Sequence, residues 1–178
     1  MADELNLESL FAEMVARIKA KFAGLKTVEE FALLQDRAIA LPAVAIDLNA
    51  IDETEDEPGT EQFSCRLTFS AYCIVSYKVK DGRKPKVRAM SIATSLISFI
   101  KNETWGHPVS LAKRLSAYPD NFAPGDLSKE VWRVDWEHSA LMGNSVWTDD
   151  GEPPTRVFLG ISPLIGPEHE EHYREIKP

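Results

Sequence analysis

Between Phe63 and Val79 apolar and polar residues alternate almost without a break. Phe63, Cys65, Leu67, Phe69, Ala71, Cys73, Val75, Tyr77 and Val79 fall on one face. Ser64, Arg66, Thr68, Ser70, Ser76 and Lys78 make up most of the other. Period two predicts a strand. At ~3.3 Å per residue it would run about 56 Å, further than the width of a compact domain of this size. The pattern therefore predicts a strand that bends or projects beyond its own domain. Leu7, Leu10, Phe11, Met14, Val15, Ile18 and Phe22 instead recur at steps of three and four, one stripe of an amphipathic helix over residues 5–23. A second helix is predicted from about Val87 to Lys101, with Pro85 near its start. Its apolar positions are Met90, Ala93, Leu96, Ile97 and Ile100.

Shorter patterns fill the gaps. "TVEEFALLQ" predicts a short helix capped by Thr27, with Glu30 at the capping-box position. Pro42 excludes a helix interior and suits a strand start, and Val44, Ile46 and Leu48 alternate after it, so 42–50 is predicted as a strand. "VSLAKRLSAY" reads as an irregular strand. "EVWRVDWEHSAL" reads as a regular one, with Trp132, Val134 and Trp136 on one face and Arg133, Asp135 and Glu137 on the other. "WTDDGEPPT" is a turn, "RVFLGIS" a last strand and "PLIGPEHEEHYREIKP" a polar tail. Strands joined by short loops pair antiparallel. The expected fold class is α+β: a mostly antiparallel sheet with two main helices on one face and a long projecting strand or hairpin. At 178 residues this is one domain over 1–165, followed by a tail over 166–178.

Charge narrows the function. The net charge is -8, against the basic face usual in duplex-DNA binders. No apolar run reaches the ~18 residues of a membrane helix, and "MADELNLESL" does not read as a signal peptide. Synthesis in the cytoplasm is the expectation. Carboxylates gather at Asp52, Glu53, Glu55, Asp56, Glu57 and Glu61 before the long strand. Cations gather at Lys78, Lys80, Arg83, Lys84, Lys86 and Arg88 after it. Either cluster alone reads as a solvated loop. Opposite signs at opposite ends of one strand make both candidate interaction surfaces.

Catalytic patterns are sparse. There is no glycine-rich phosphate loop, and "GNS" at 143–145 lacks the second glycine of a nucleophile elbow. In "HEEH" His169 and His172 stand three apart, not the four of a helical zinc protease. A solvated tail is expected there. His107 and His138 read as structural, Asp135 and Glu137 as part of a solvent-side charge ladder, and Trp132 and Trp136 as core anchors. Cys65 and Cys73 would lie about 26 Å apart on one strand, against the roughly 7 Å limit of a disulfide. Two buried free thiols are expected. No cofactor and no metal is implied.

The amphipathic N-terminal helix, "LPAVAIDL", the acidic loop, "FSCRLTFSAYCIVSY", the helix "AMSIATSLISFI", the Trp-rich strand and "RVFLGISP" together resemble the tail terminator (tail completion) proteins of tailed phages. The likeness is to the Mu-like contractile-tail group and the collar proteins of R-type bacteriocins, and covers roughly residues 5–165. It implies a non-enzymatic assembly protein. Such a protein forms a homo-hexameric ring, caps the tail tube, ends its polymerisation and joins the last sheath ring. The implied partners are tube protein, sheath protein and, in a phage, the head connector, with neither membrane nor sequence-specific nucleic acid. The particle assembles in the bacterial cytoplasm, and the ring then belongs to the virion tail or bacteriocin. A head-tail connector or neck adaptor ring is the alternative, and a small enzyme a more distant one. The interface candidates are Asp52, Glu53, Glu55, Asp56 and Glu57 on one side and Lys80, Arg83, Lys84 and Lys86 on the other.

Overall fold

A computed structural model of the chain describes residues 5–31, 39–56, 59–78, 84–121, 128–146 and 156–176. The chain divides into two compact units between Val146 and Trp147. The first holds helices α1 (Leu7–Lys21) and α2 (Pro85–Ile100) and strands β1 (Thr27–Glu30), β2 (Ala43–Glu53), β3 (Phe63–Ser76), β4 (Lys113–Asp120) and β5 (Lys129–Met142). The second holds β6 (Val157–Leu159), a 3-10 helix Pro167–His172, and β7 (Arg174–Ile176). The fold is α+β.

The five strands of the first unit lie in the order β1-β2-β3-β5-β4. All neighbours are antiparallel except β1 and β2. The long strand is the centre of this sheet. It is 14 residues long, and each of them from Phe63 to Ser76 faces a partner on β5, from Met142 to Lys129. Among the described residues there is no projecting strand or hairpin: Phe63–Ser76 is paired along its whole length, Tyr77 lies in a bend, and Val79 falls outside the described residues.

Both helices cover one face, and each is set by its ends and its stripe. The Asn6 side chain accepts from the Ser9 amide at 2.9 Å and caps α1, whose Leu10, Met14 and Ile18 are buried. Pro85 opens α2, where its missing N–H costs nothing. Ala89, Ala93, Leu96 and Ile100 are buried on α2. The two alanines let its backbone lie close to the sheet, while Met90, expected in the stripe, is largely exposed. Leu10, Met14 and Ile18 of α1 and Ala93, Leu96 and Ile100 of α2 meet Cys65, Leu67, Phe69, Ala71 and Cys73 of β3 and Val134, Trp136 and Ala140 of β5 in one core. Phe69 stacks on Trp136 and receives the edge of Phe11.

The other face is not simply solvated. At one end Tyr72 and Ile74 of β3 join Ala43, Ala45 and Val131 in a second buried cluster, with Phe31, Ile39 and Leu41 packed against it. Both faces of β3 are therefore buried from Phe69 to Val75, where alternation alone predicts one.

Three further expectations change. Thr27–Glu30 is a strand, not a capped helix. It pairs in parallel with Ala43–Ile46 and buries Val28. The 42–50 strand continues to Glu53, so Asp52 and Glu53 belong to a strand and not to a loop. "RVFLGIS" does form a strand over Val157–Leu159, but it pairs with Arg174–Ile176 in a separate two-stranded sheet. The polar tail thus supplies a 3-10 helix and a strand of that second unit. The turn "WTDDGEPPT" lies outside the described residues.

Candidate assembly surfaces

β1 covers only the first four residues of β2, so from Asp47 onward β2 is an edge of the sheet. A register shift at Asn49 bulges that edge and re-aims the residues after it. Asp52 and Glu53 stand exposed at its end. The Asp52 carboxylate accepts from Arg66 at 3.5 Å. Exposed Glu55 and Asp56 follow. With Glu53 and Glu61 they line a concavity of about 870 Å³ beside Phe63. Glu57 lies outside the described residues. Carboxylates on an edge keep it from pairing with another strand, and the same concavity can accept a basic partner.

The cations gather at the opposite end of the sheet. Lys84 is the N-cap residue of α2 and Lys86 is exposed in its first turn. Lys80 and Arg83 lie outside the described residues. Among the described residues no ion pair joins the two clusters. The acidic end adjoins the start of β3, since Glu53 pairs with Cys65. Lys84 lines the same groove as Pro42, which precedes Ala43, the residue paired with Ile74 near the end of β3. Charge is therefore split along the length of the sheet.

Sequence periodicity does not reveal a groove beside α2. Phe22 and Leu25 from the end of α1, Pro42 before β2, and Val87 and Ile92 of α2 line a cavity of about 570 Å³. Lys84 and Arg88 stand among its lining residues. Val87 is 49% exposed. Val87, Ser91 and Ser95, with Arg88 and Ile92 beside them, recur at steps of three and four on α2, and this second stripe, flanking the buried one, is the signal that finds the groove.

The second unit leaves its apolar side chains uncovered. Val157, Phe158 and Leu159 of β6, Ile161 and Ile165 after it, and Ile176 of β7 are 47 to 70% exposed. Tyr173 organises the turn between the strands. Its hydroxyl accepts from the Gly166 amide at 2.6 Å, and its ring fills the space a side chain at Gly160 would need. Arg156 and Glu175 pair across the hairpin at 3.0 Å. These residues read as a strand of the main core. Their lack of a second apolar segment to pack against, between Pro-Pro and Pro-Glu, was the available signal.

The remaining polar groups are tied into the framework. On the open face Ser70 is buried and donates to Asp135 at 2.6 Å. Arg133 donates to the same carboxylate at 2.7 Å, and Tyr118 donates to its other oxygen. Arg133 lies over the rings of Tyr72 and Tyr118. Burial works to raise Asp135, but these three hydrogen bonds outweigh it and hold the carboxyl below its ordinary range. Burial and the bond to Asp135 push Tyr118 up to about 12. The expected charge ladder is thus a closed network at Asp135, while Glu137 instead meets Arg114 at 3.3 Å and Arg66 at 3.7 Å.

On the core side Trp105 and His138 are fully buried. The Trp105 indole N–H donates to His138 Nε2 at 3.0 Å. An indole only donates, so the His138 proton sits on Nδ1 and is given to the Ser110 carbonyl at 2.7 Å. Burial lowers the pKa of this histidine. Trp105 and Gly106 both have positive φ, 61° and 75°. A Cβ at Gly106 would meet the Arg17 guanidinium at 2.9 Å, which itself is held by Glu13 and Glu103. Trp136 is fully buried as expected and Trp132 partly so.

Cys65 and Cys73 are both buried and unpaired. Burial raises both thiols, that of Cys73 to about 12. The rings of His169 and His172 stand 6.2 Å apart on the 3-10 helix. Among the described residues no group of three or more His, Cys, Asp or Glu is placed to hold a metal ion, and no helix is long and apolar enough to cross a membrane. Compared with known proteins, the chain matches no family model and no curated protein.

Proposed function

We propose that the chain is a structural assembly protein that caps a phage-type tail tube as a homo-hexameric ring, ends tube polymerisation and receives the last ring of sheath. The observation that carries this reading is the uncovered apolar surface of the second unit. A fully buried aliphatic or aromatic side chain contributes ~1.5–3 kcal/mol. Several of them left in water on one short unit mark a surface made for another macromolecule. The split of charge along the sheet supports the same reading. A ring needs two different patches that meet head to tail, and opposite charges at the rims of such patches set register and approach rate. The resemblance of element order and texture to tail terminators supplies the kind of partner. In that role the protein works in the bacterial cytoplasm during assembly and stays on the finished particle.

The test is to grow tail tubes from purified tube protein with and without the chain and to image them. Rings of six at one end, together with a narrowed length distribution, are expected. Tubes of unrestricted length with bare ends would overturn the reading. Rings that bind a head connector and ignore tubes would replace it with a neck adaptor.

A further inference from the structure

The apolar surface of the second unit and the groove beside α2 have complementary shapes of chemistry. Two strands of three residues each do not stabilise themselves in water. Their unit exposes Phe158, Ile161 and Ile165 in and beside the hairpin turn. Glu168, Glu170 and Glu171 follow at once, exposed on the 3-10 helix. The groove presents the converse. Its floor is Phe22, Leu25, Pro42, Val87 and Ile92, and Lys84 and Arg88 also line it. The first turn of α2 carries no acidic residue, and no side chain caps it. The free amides there add a partial positive charge to that of Lys84 and Lys86. An apolar segment followed by three carboxylates fits an apolar floor beside Lys84, Lys86 and a helix N-terminus.

We propose that the second unit of one copy docks in the α1–α2 groove of a neighbouring copy, with the apolar turn on the groove floor and Glu168, Glu170 and Glu171 against Lys84 and Lys86. The two patches differ, so the contact is heterologous and repeats from copy to copy, as a ring requires. Apolar burial supplies most of the affinity. The charges fix the direction of insertion, since reversing it would bring the carboxylates onto Phe22 and Leu25. The inference rests on the ring reading for its biological use, but the contact itself is tested without a tube.

A photo-crosslinking phenylalanine analogue replaces Ile161, the most exposed apolar residue of the unit. Equal amounts of unlabelled and 15N-labelled full chain are mixed, irradiated at the highest soluble concentration and digested. Peptides joining position 161 to residues 85–95, with one isotope on each side, are expected. Lys84→Glu with Lys86→Glu should lower their yield at least ~10-fold with the thermal melt unchanged. Adding Glu168→Lys, Glu170→Lys and Glu171→Lys to that variant should restore it. Same-isotope peptides alone would mean that the chain covers its own groove. Crosslinks to other surfaces, none at all, or a yield indifferent to the charge reversals would each overturn the proposal. Six-membered rings on tubes without these crosslinks would keep the capping reading and discard this contact. Mixed-isotope crosslinks without tube binding would do the reverse.

Discussion

Trp105 and Trp136 are equally buried yet differ in what they would leave behind. The Trp105 indole serves His138, whereas Trp136 Nε1 has no hydrogen-bond partner among the described residues. Trp105→Phe removes the donor and leaves a buried imidazole nitrogen unpaired, at a cost of ~1–3 kcal/mol beyond lost volume. Trp136→Phe loses volume alone. The urea midpoint should therefore fall further for Trp105→Phe, and equal or reversed midpoints would remove the hydrogen bond from the account. His138 also carries a pH dependence. Its folded pKa lies below the ordinary 6.5, so the unfolded chain takes up the proton first. The stability it contributes is complete above pH 6.5 and declines as pH falls from there through the folded value. A single group can supply at most ~1.4 kcal/mol per pH unit. His138→Gln keeps an acceptor for the indole but does not titrate. Its stability should change less between pH 6.5 and 5 than that of the native chain, in a window above the carboxylate range where Asp135 stays ionised. Parallel profiles would contradict this assignment.

At the scale of elements, the sequence showed what local pattern can show. Alternation marks Phe63–Ser76 and Lys129–Met142 because each has one face in the main core along its length. The 3.6-residue stripe marks both helices for the same reason. Thr27–Glu30 was misread because Thr followed by Glu three residues later is a genuine local helix signal, and the backbone partners that override it lie on Ala43–Ile46. Tyr72 and Ile74 were invisible as core because the segment that packs on them, near Phe31, Ile39 and Leu41, is distant in sequence. Trp105 sits in an aperiodic stretch, and only a lone tryptophan before glycine hinted at an anchored turn. The charge clusters of the candidate site were legible as charges. Their partners were not, because an apolar strand reads the same whether its core belongs to its own unit or to another molecule. Val157–Leu159 reads from the sequence as a core strand, yet its side chains are about half exposed.

At the scale of the whole molecule, the two units differ in how far they bury their apolar residues. The first closes a core on both sides of a five-stranded sheet, and in the second Val157, Phe158, Leu159 and Ile176 stay about half exposed. The register of the central ladder has a consequence in time. β2 and β3 are joined by a short connection, but β3 meets β5 only after the segment from Tyr77 to Ser128 has been made. At ~5–20 residues per second a ribosome needs several seconds to deliver it. Throughout that interval the nascent chain holds the central strand of the five-stranded sheet with one side open to any other chain on the polysome. The carboxylates at Asp52, Glu53, Glu55, Asp56 and Glu61 are already out by then, and their mutual repulsion keeps neighbouring chains apart. Refolding should keep the same order: in pulsed hydrogen exchange the amides shared by β2 and β3 gain protection before those shared by β3 and β5. Simultaneous protection of both ladders would show that the centre of the sheet forms in one step.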